Sequence, residues 1–184
     1  MRNDIIRYAL TLSVIALLSA LLMAFVYGLT KPAIDEARRQ DFLIGLNAVL
    51  PEYDNSPDLD AIIIDNQSVY VAKKGGAIVG YAAVGHSPKG YGGTVSVIVG
   101  ALADSTISGV VVVKHTETPG LGDRIITAAF LSIFEGSHIS REYAVKADGG
   151  HVDQFSGATI SPRAVCDAVN TANALLVKGL EYEY

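Results

Sequence analysis

The sequence predicts an α+β protein: a single N-terminal transmembrane helix, then a domain with an antiparallel sheet and flanking helices. Three observations carry this. Residues 8–30 hold no charged side chain, β-branched runs alternate with glycine-bearing turns through the middle, and residues 164–176 repeat apolar positions at helical spacing. The 184-residue chain is 50% hydrophobic, and its mean hydropathy of +0.34 is high for a wholly soluble domain. That length suits one compact domain with a short appendage.

The run from Tyr8 to Thr30 covers 23 residues. At 1.5 Å per residue it reaches about 34 Å, enough for a hydrocarbon core of ~30 Å with some tilt. Arg2 and Arg7 precede it, Lys31 and Pro32 follow it, and Tyr8 and Tyr27 sit where interfacial aromatics are favoured. A cleaved signal peptide fits less well, because the apolar run is long and no clear A-x-A site follows. Residues 1–31 are therefore assigned as N-terminal tail and anchor, and 32–184 as the second domain. Basic residues flank both ends, so charge alone leaves the orientation open. Ala16, Ala20, Ala24 and Gly28 recur every four residues, which either marks a helix-docking face or reflects ordinary anchor composition.

Beyond the anchor, Ile34–Leu50 reads as an amphipathic helix ended by Pro51. Strands are expected at Ala61–Ile64, Val69–Ala72, Ala77–Gly85, Thr94–Leu102 and Ser108–Lys114, joined as hairpins. Asp123 is placed to cap a helix reaching about Phe134. Ser161 followed by Pro162 reads as an N-cap with proline at the first helical position, opening a helix to about Gly179.

Charge and cysteine content remove several functions. With 14 basic against 19 acidic residues and a net charge of −5, no basic stripe exists to engage a nucleic-acid backbone. Three of those basic residues and one acidic residue fall within 1–31, so the second domain holds 11 basic and 18 acidic residues. Cys166 is the single cysteine, too few for an internal disulfide, a four-cysteine zinc site or an iron–sulfur cluster. His86, His115, His138 and His151 lack metal-ligand spacing. No metal site is expected, so any redox cofactor should be organic. Cys166 reads as a small core residue.

Two loops carry the chemical signal. Asp153-Gln154-Phe155-Ser156-Gly157-Ala158-Thr159 precedes the last helix. Gly157 and Ala158 keep the backbone bare beside Thr159, and a helix N-terminus favours phosphate. The same residues also suit an ordinary turn in which Ser156 or Thr159 bonds its own backbone. The second loop, Glu117-Thr118-Pro119-Gly120-Leu121-Gly122, follows a valine-rich strand. Gly120 and Gly122 permit close approach to a flat ring and Pro119 stiffens the loop, yet a rigid strand-to-helix turn would look alike.

The D-x-x-S-G-A-T string resembles the flavinylation motif of FMN-binding domains. The E-T-P-G-L-G string, and the order of elements along nearly the whole chain, resemble two families of membrane-anchored flavoproteins. These are the G subunits of Rnf-type electron transport complexes and the C subunits of sodium-translocating NADH:quinone reductases. Lys89-Gly90-Tyr91-Gly92-Gly93 and the compact length favour the first. The resemblance implies FMN joined to Thr159 by a phosphodiester bond, placed there by a Mg-dependent flavin transferase that takes it from FAD. It implies a recognition turn of Ser156, Gly157 and Ala158 with Asp153 leading in, and flavin contacts from Glu117, Thr118, Gly120, Leu121 and Gly122.

It further implies a single-pass protein of the cell membrane whose FMN-binding domain faces away from the cytoplasm. Within an Rnf-type complex it would relay electrons between ferredoxin and NAD, or another terminal acceptor, coupled to Na⁺ or H⁺ translocation. Its partners would be the other membrane subunits and, during maturation, the flavin transferase. The alternatives are the quinone reductase flavoprotein and a non-redox anchored binding or assembly module. His115 reads as a solvent-facing loop residue more readily than a flavin contact, and Tyr91 suits ring stacking or a plain turn equally.

Overall fold

A computed structural model describes residues 2–182. The chain divides into two units, Met1–Asp41 and Phe42–Tyr184. In the first unit, the described residues from Asp4 to Gln40 lie on a helix with every side chain exposed. That helix is long and apolar enough to cross a bilayer.

The helix, α1, runs from Arg2 to Val49 and contains Pro32. This corrects the expectation of a separate helix over Ile34–Leu50. Proline removes one backbone donor, and anchor helices tolerate that loss where nearby hydroxyls and backbone adjust. Thr30 Oγ1 lies within hydrogen-bonding reach of the Val26 carbonyl at 3.0 Å and the Tyr27 carbonyl at 3.3 Å. In the second unit, α1 buries Gly45, Leu46 and Val49 near its end, with Leu50 just beyond.

Five strands follow, β1 (Ile62–Ile64), β2 (Gln67–Lys74), β3 (Ala77–Ser87), β4 (Val95–Leu102) and β5 (Ile107–Lys114). They form one antiparallel sheet in the order β1-β2-β3-β4-β5, as expected. The tight turns use left-handed backbone: Asp65 and Asn66 between β1 and β2, Gly75 and Gly76 between β2 and β3. Paired positive φ is what a two-residue hairpin needs to match strand twist. The β3–β4 connection is longer and holds the Lys89–Gly93 string.

Every residue of β4 except Leu102 is buried, because both faces of the sheet are covered. On one face, Leu46, Val49 and Leu50 pack with Ala72, Ala82 and Ile98. On the other, Ala164, Val165, Ala168, Val169, Ala172 and Leu176 of α3 (Ile160–Tyr182) pack with Ala83, Val97 and Val99. Ser108 Oγ ties the sheet to the end of α1 by donating to the Val49 carbonyl at 2.5 Å.

Between β5 and α3 the chain is mostly irregular. A 3-10 turn spans Gly122–Ile126, and α2 (Ala128–Leu131) is a single turn. The expected helix from Asp123 to Phe134 is thus broken. Asp123 lies inside the 3-10 turn, and neither segment has a side-chain cap. The break is at Thr127, whose extended backbone carries a hydroxyl that donates to the Arg124 carbonyl at 2.7 Å. Tyr143 anchors the following loop: its hydroxyl donates to the Phe134 carbonyl at 3.1 Å, and Asn170 of α3 pairs with both its N–H and C=O at 2.8 Å.

Cys166 is buried in the core, and burial pushes its thiol up to about 12. Ser161 does not cap α3. The helix opens at Ile160, one residue past Thr159, and runs to Tyr182.

Candidate functional site

The start of α3 and the loop after β5 enclose a cavity of about 340 Å³. Thr118, Leu121 and Gly122 form one wall; Gly157, Ala158, Thr159 and Ile160 form the other. Glu117 and Ser161 close its floor and Tyr91 stands at its edge.

Local chemistry explains each wall. The Thr118 carbonyl accepts from the N–H groups of Leu121 at 3.2 Å and Gly122 at 3.1 Å, curling the chain into a compact shelf. Gly120, at φ +75°, makes that curl possible. Opposite, Ala158 N–H donates to the Phe155 carbonyl at 3.1 Å, closing a turn around Gly157 at φ +80°. Phe155 is fixed by Phe130, ring centroids 5.1 Å apart, and by the Arg124 guanidinium 4.6 Å over its ring. This leaves Thr159 exposed at the mouth, next to the free N–H groups that open α3.

Surrounding ion pairs hold these elements in place. Asp167 of α3 accepts from Ser87 Oγ at 2.7 Å and Lys89 Nζ at 2.8 Å, fastening the base of the Lys89–Gly93 loop. Burial pushes this carboxyl upward, but the Lys89 and Ser87 hydrogen bonds and the Lys89 charge outweigh it and hold the pKa below the ordinary value. Arg163 grips Asp148 through two hydrogen bonds and lowers its pKa.

Thr159, Gly157, Ala158, Glu117, Thr118, Leu121 and Gly122 therefore meet at one cavity, although some forty residues separate the two strings. Three expected members stand apart. Asp153 is exposed and pairs with Lys146 at 2.6 Å. Ser156 is exposed in the turn outside the cavity lining. Gly120 shapes the shelf without lining the cavity. His115 is half-buried, its Nδ1 accepting from Glu117 N–H at 3.3 Å, and it does not line the cavity.

Ile160 and Ser161 belong to the lining but were not anticipated there, since the Ser-Pro pair reads locally as a cap. Tyr91 is 73% exposed at the cavity edge. The cavity volume lies at the lower end of small-molecule sites, roughly 300–1,000 Å³. Bare Gly157 and Ala158 face Leu121, an apolar pair of walls for a flat ring, and the α3 start suits a phosphate. The residues present fit a flavin mononucleotide.

Comparisons with known proteins agree with this geometry. A family model described as FMN-binding domain matches residues 90–174, and one described as RnfG N-terminal region matches residues 1–49. Proteins named as the G subunit of an ion-translocating oxidoreductase complex align along almost the whole chain. The Pseudoalteromonas atlantica protein is 36% identical, covering 94% of this chain and 88% of its own length. That of Haemophilus influenzae strain PittEE is 38% identical over 93% and 89%. The Cereibacter sphaeroides protein is 39% identical over 88% and 79%.

Among solved structures, the C subunit of the Na⁺-translocating NADH-quinone reductase from Parabacteroides distasonis is similar at TM-score 0.52 and 28% identity. That match covers 62% of each chain, less than two thirds of the solved one. Shewanella oneidensis NqrC shares the fold at TM-score 0.51 and 21% identity, covering 75% of this chain and 74% of that one.

Proposed function

The chain belongs to the family of G subunits of ion-translocating oxidoreductase complexes, and from that premise we propose that it holds FMN covalently on Thr159. Its role is that of a membrane-anchored flavoprotein, an electron-transfer component of a multi-subunit complex. The observation that carries the covalent reading is the position of Thr159. It is exposed at the mouth of a cavity whose walls fit a flavin, one residue before the α3 N-terminus.

Bound FMN supplies electron transfer in single or paired steps. The chain's own residues supply place and orientation. Gly157 and Ala158 keep the attachment turn bare, so a transferase can reach the Thr159 hydroxyl. That hydroxyl would carry FMN as a phosphodiester, with FAD as the donor and AMP as the leaving group. The N–H groups opening α3 would hold its phosphate. Leu121 and Gly122 offer an apolar shelf that keeps water from one face of the ring. Asp153, outside the cavity, acts as a surface feature of the attachment turn, and Ser156 sits exposed beside it.

Residues 1–31 serve as a single-pass anchor, and residues 32–184 form the FMN-binding domain on the extracytoplasmic side. A tether suits that location, since it keeps a lost cofactor at high effective concentration. The electron path runs between ferredoxin and NAD or another terminal acceptor, through neighbouring membrane subunits. The coupling ion crosses elsewhere, because residues 8–30 contain no charged group to line a path. The greater identity to the oxidoreductase-complex G subunits, 36–39%, disfavours the quinone reductase alternative. The FMN-binding match disfavours a non-redox module.

The experiment is peptide mapping of the protein from a transferase-competent host. The peptide bearing Thr159 is expected to gain the mass of FMN less one water. An unmodified Thr159 peptide from that host would overturn covalent attachment.

A further inference from the structure

We propose that Glu117 is a positioning residue, a buried clasp that fastens the shelf of the cavity to the helix start carrying Thr159. This rests on reading the cavity as the flavin site. Three segments distant in sequence meet at its side chain. Oε2 accepts from Ser161 Oγ at 2.5 Å, and Oε1 accepts more weakly from Gly92 N–H at 3.4 Å. Next to it, Thr116 Oγ1 donates to the Gly92 carbonyl at 2.6 Å, so the glycine loop is held from both sides.

The clasp is enclosed. Glu117 is 5% exposed and Ser161 1%. A Cβ on Gly90 would stand 2.7 Å from Oε1, and one on Gly122 2.7 Å from Oε2. Glycine at both positions is what lets a carboxyl group fit between these loops. Burying such a group is costly unless its oxygens are bonded, and here protein donors take both. Glu117 therefore acts through Ser161 and Gly92.

The physical consequence concerns the ring and not the bond. A phosphodiester to Thr159 would fix one end of the flavin. The ring would be ordered only while the shelf of Thr118, Leu121 and Gly122 stays pinned to α3. The Glu117–Ser161 hydrogen bond is the direct side-chain link between those two walls.

The test uses the full chain in detergent, comparing wild type with Ser161→Ala and Glu117→Gln. From a transferase-competent host, covalent flavin is quantified on a denaturing gel. Ring order is read by fluorescence anisotropy and iodide quenching of the native protein. From a host lacking the transferase, amide hydrogen exchange is followed at 117–122 and 157–161.

Ser161→Ala is expected to keep its covalent flavin, with lower anisotropy and severalfold stronger quenching. Exchange in the two segments should rise together by about tenfold, the worth of one hydrogen bond. Glu117→Gln keeps an acceptor for Ser161 and should fall between the two. It also decides the matter should Ser161→Ala misfold. Unchanged quenching and exchange in both variants would overturn the clasp. Absence of flavin from wild type would instead sink the Thr159 reading, while the exchange data on flavin-free protein would still decide the clasp.

Discussion

Gly157 shows how one residue serves the site. Its φ of +80° lies where an L side chain is strained, at a cost of roughly 1–2 kcal/mol for ordinary residues. Gly157→Val is expected to lower unfolding free energy by about that amount and to reduce flavin attachment, because the turn presenting Thr159 must distort. Urea denaturation and flavin fluorescence per chain check the two effects separately. Ser161 was harder to read. Serine before proline at the head of an apolar helix is locally a cap, and only a partner 44 residues away, Glu117, draws its hydroxyl into the cavity floor. The exposure of Thr159 beside a helix start was legible because its surroundings are local, small residues on one side and the helix on the other; its role as an attachment point came from the resemblance alone.

At the scale of elements, all five strands and their order were legible, although β2 is twice as long as the expected Val69–Ala72. Val95–Leu102 is apolar apart from Ser96, and the structure buries all of it but Leu102. The tight turns fall at Asp65-Asn66 and Gly75-Gly76, which adopt positive φ. Helix boundaries were not so legible. Pro32 suggested an end that α1 passes through, and Asp123 suggested a cap that the 3-10 turn does not use.

Elements are also joined by ionic ties that no local pattern announces, such as Asp167 on α3 to Ser87 and Lys89 at the end of β3. Because the folded-state pKa of Asp167 is depressed, its contribution is present above the unfolded carboxylate value of ~3.9. That contribution disappears as pH falls through the folded value. Asp167→Asn should therefore destabilise the protein at neutral pH, and the gap from wild type should close below about pH 4. Urea midpoints of both proteins across that range are the check. A gap that persists at the acidic end would mean that the tie is not ionic.

On the scale of the whole molecule, the chain joins an apolar anchor to an acidic domain. The basic residues at both ends of the anchor left its direction undecided, and the proposed extracytoplasmic side has a simple test. Cys166 is buried with its thiol pushed up to about 12, so the native chain offers no reactive thiolate. Glu135 is exposed in the second unit. Glu135→Cys should react with a membrane-impermeant maleimide in cells whose cytoplasmic membrane is intact and whose outer barrier is opened. Reaction only after lysis of that membrane would place the domain on the cytoplasmic side.

Presentation of Thr159 to carry FMN is the proposal on which the function rests. It is tested most directly by ultraviolet fluorescence of the protein band on a denaturing gel, wild type beside Thr159→Val, both from a transferase-competent host. Covalent FMN on Thr159 would give a fluorescent wild-type band and a dark variant of equal protein amount. A dark wild-type band, or equal fluorescence in both, would contradict it.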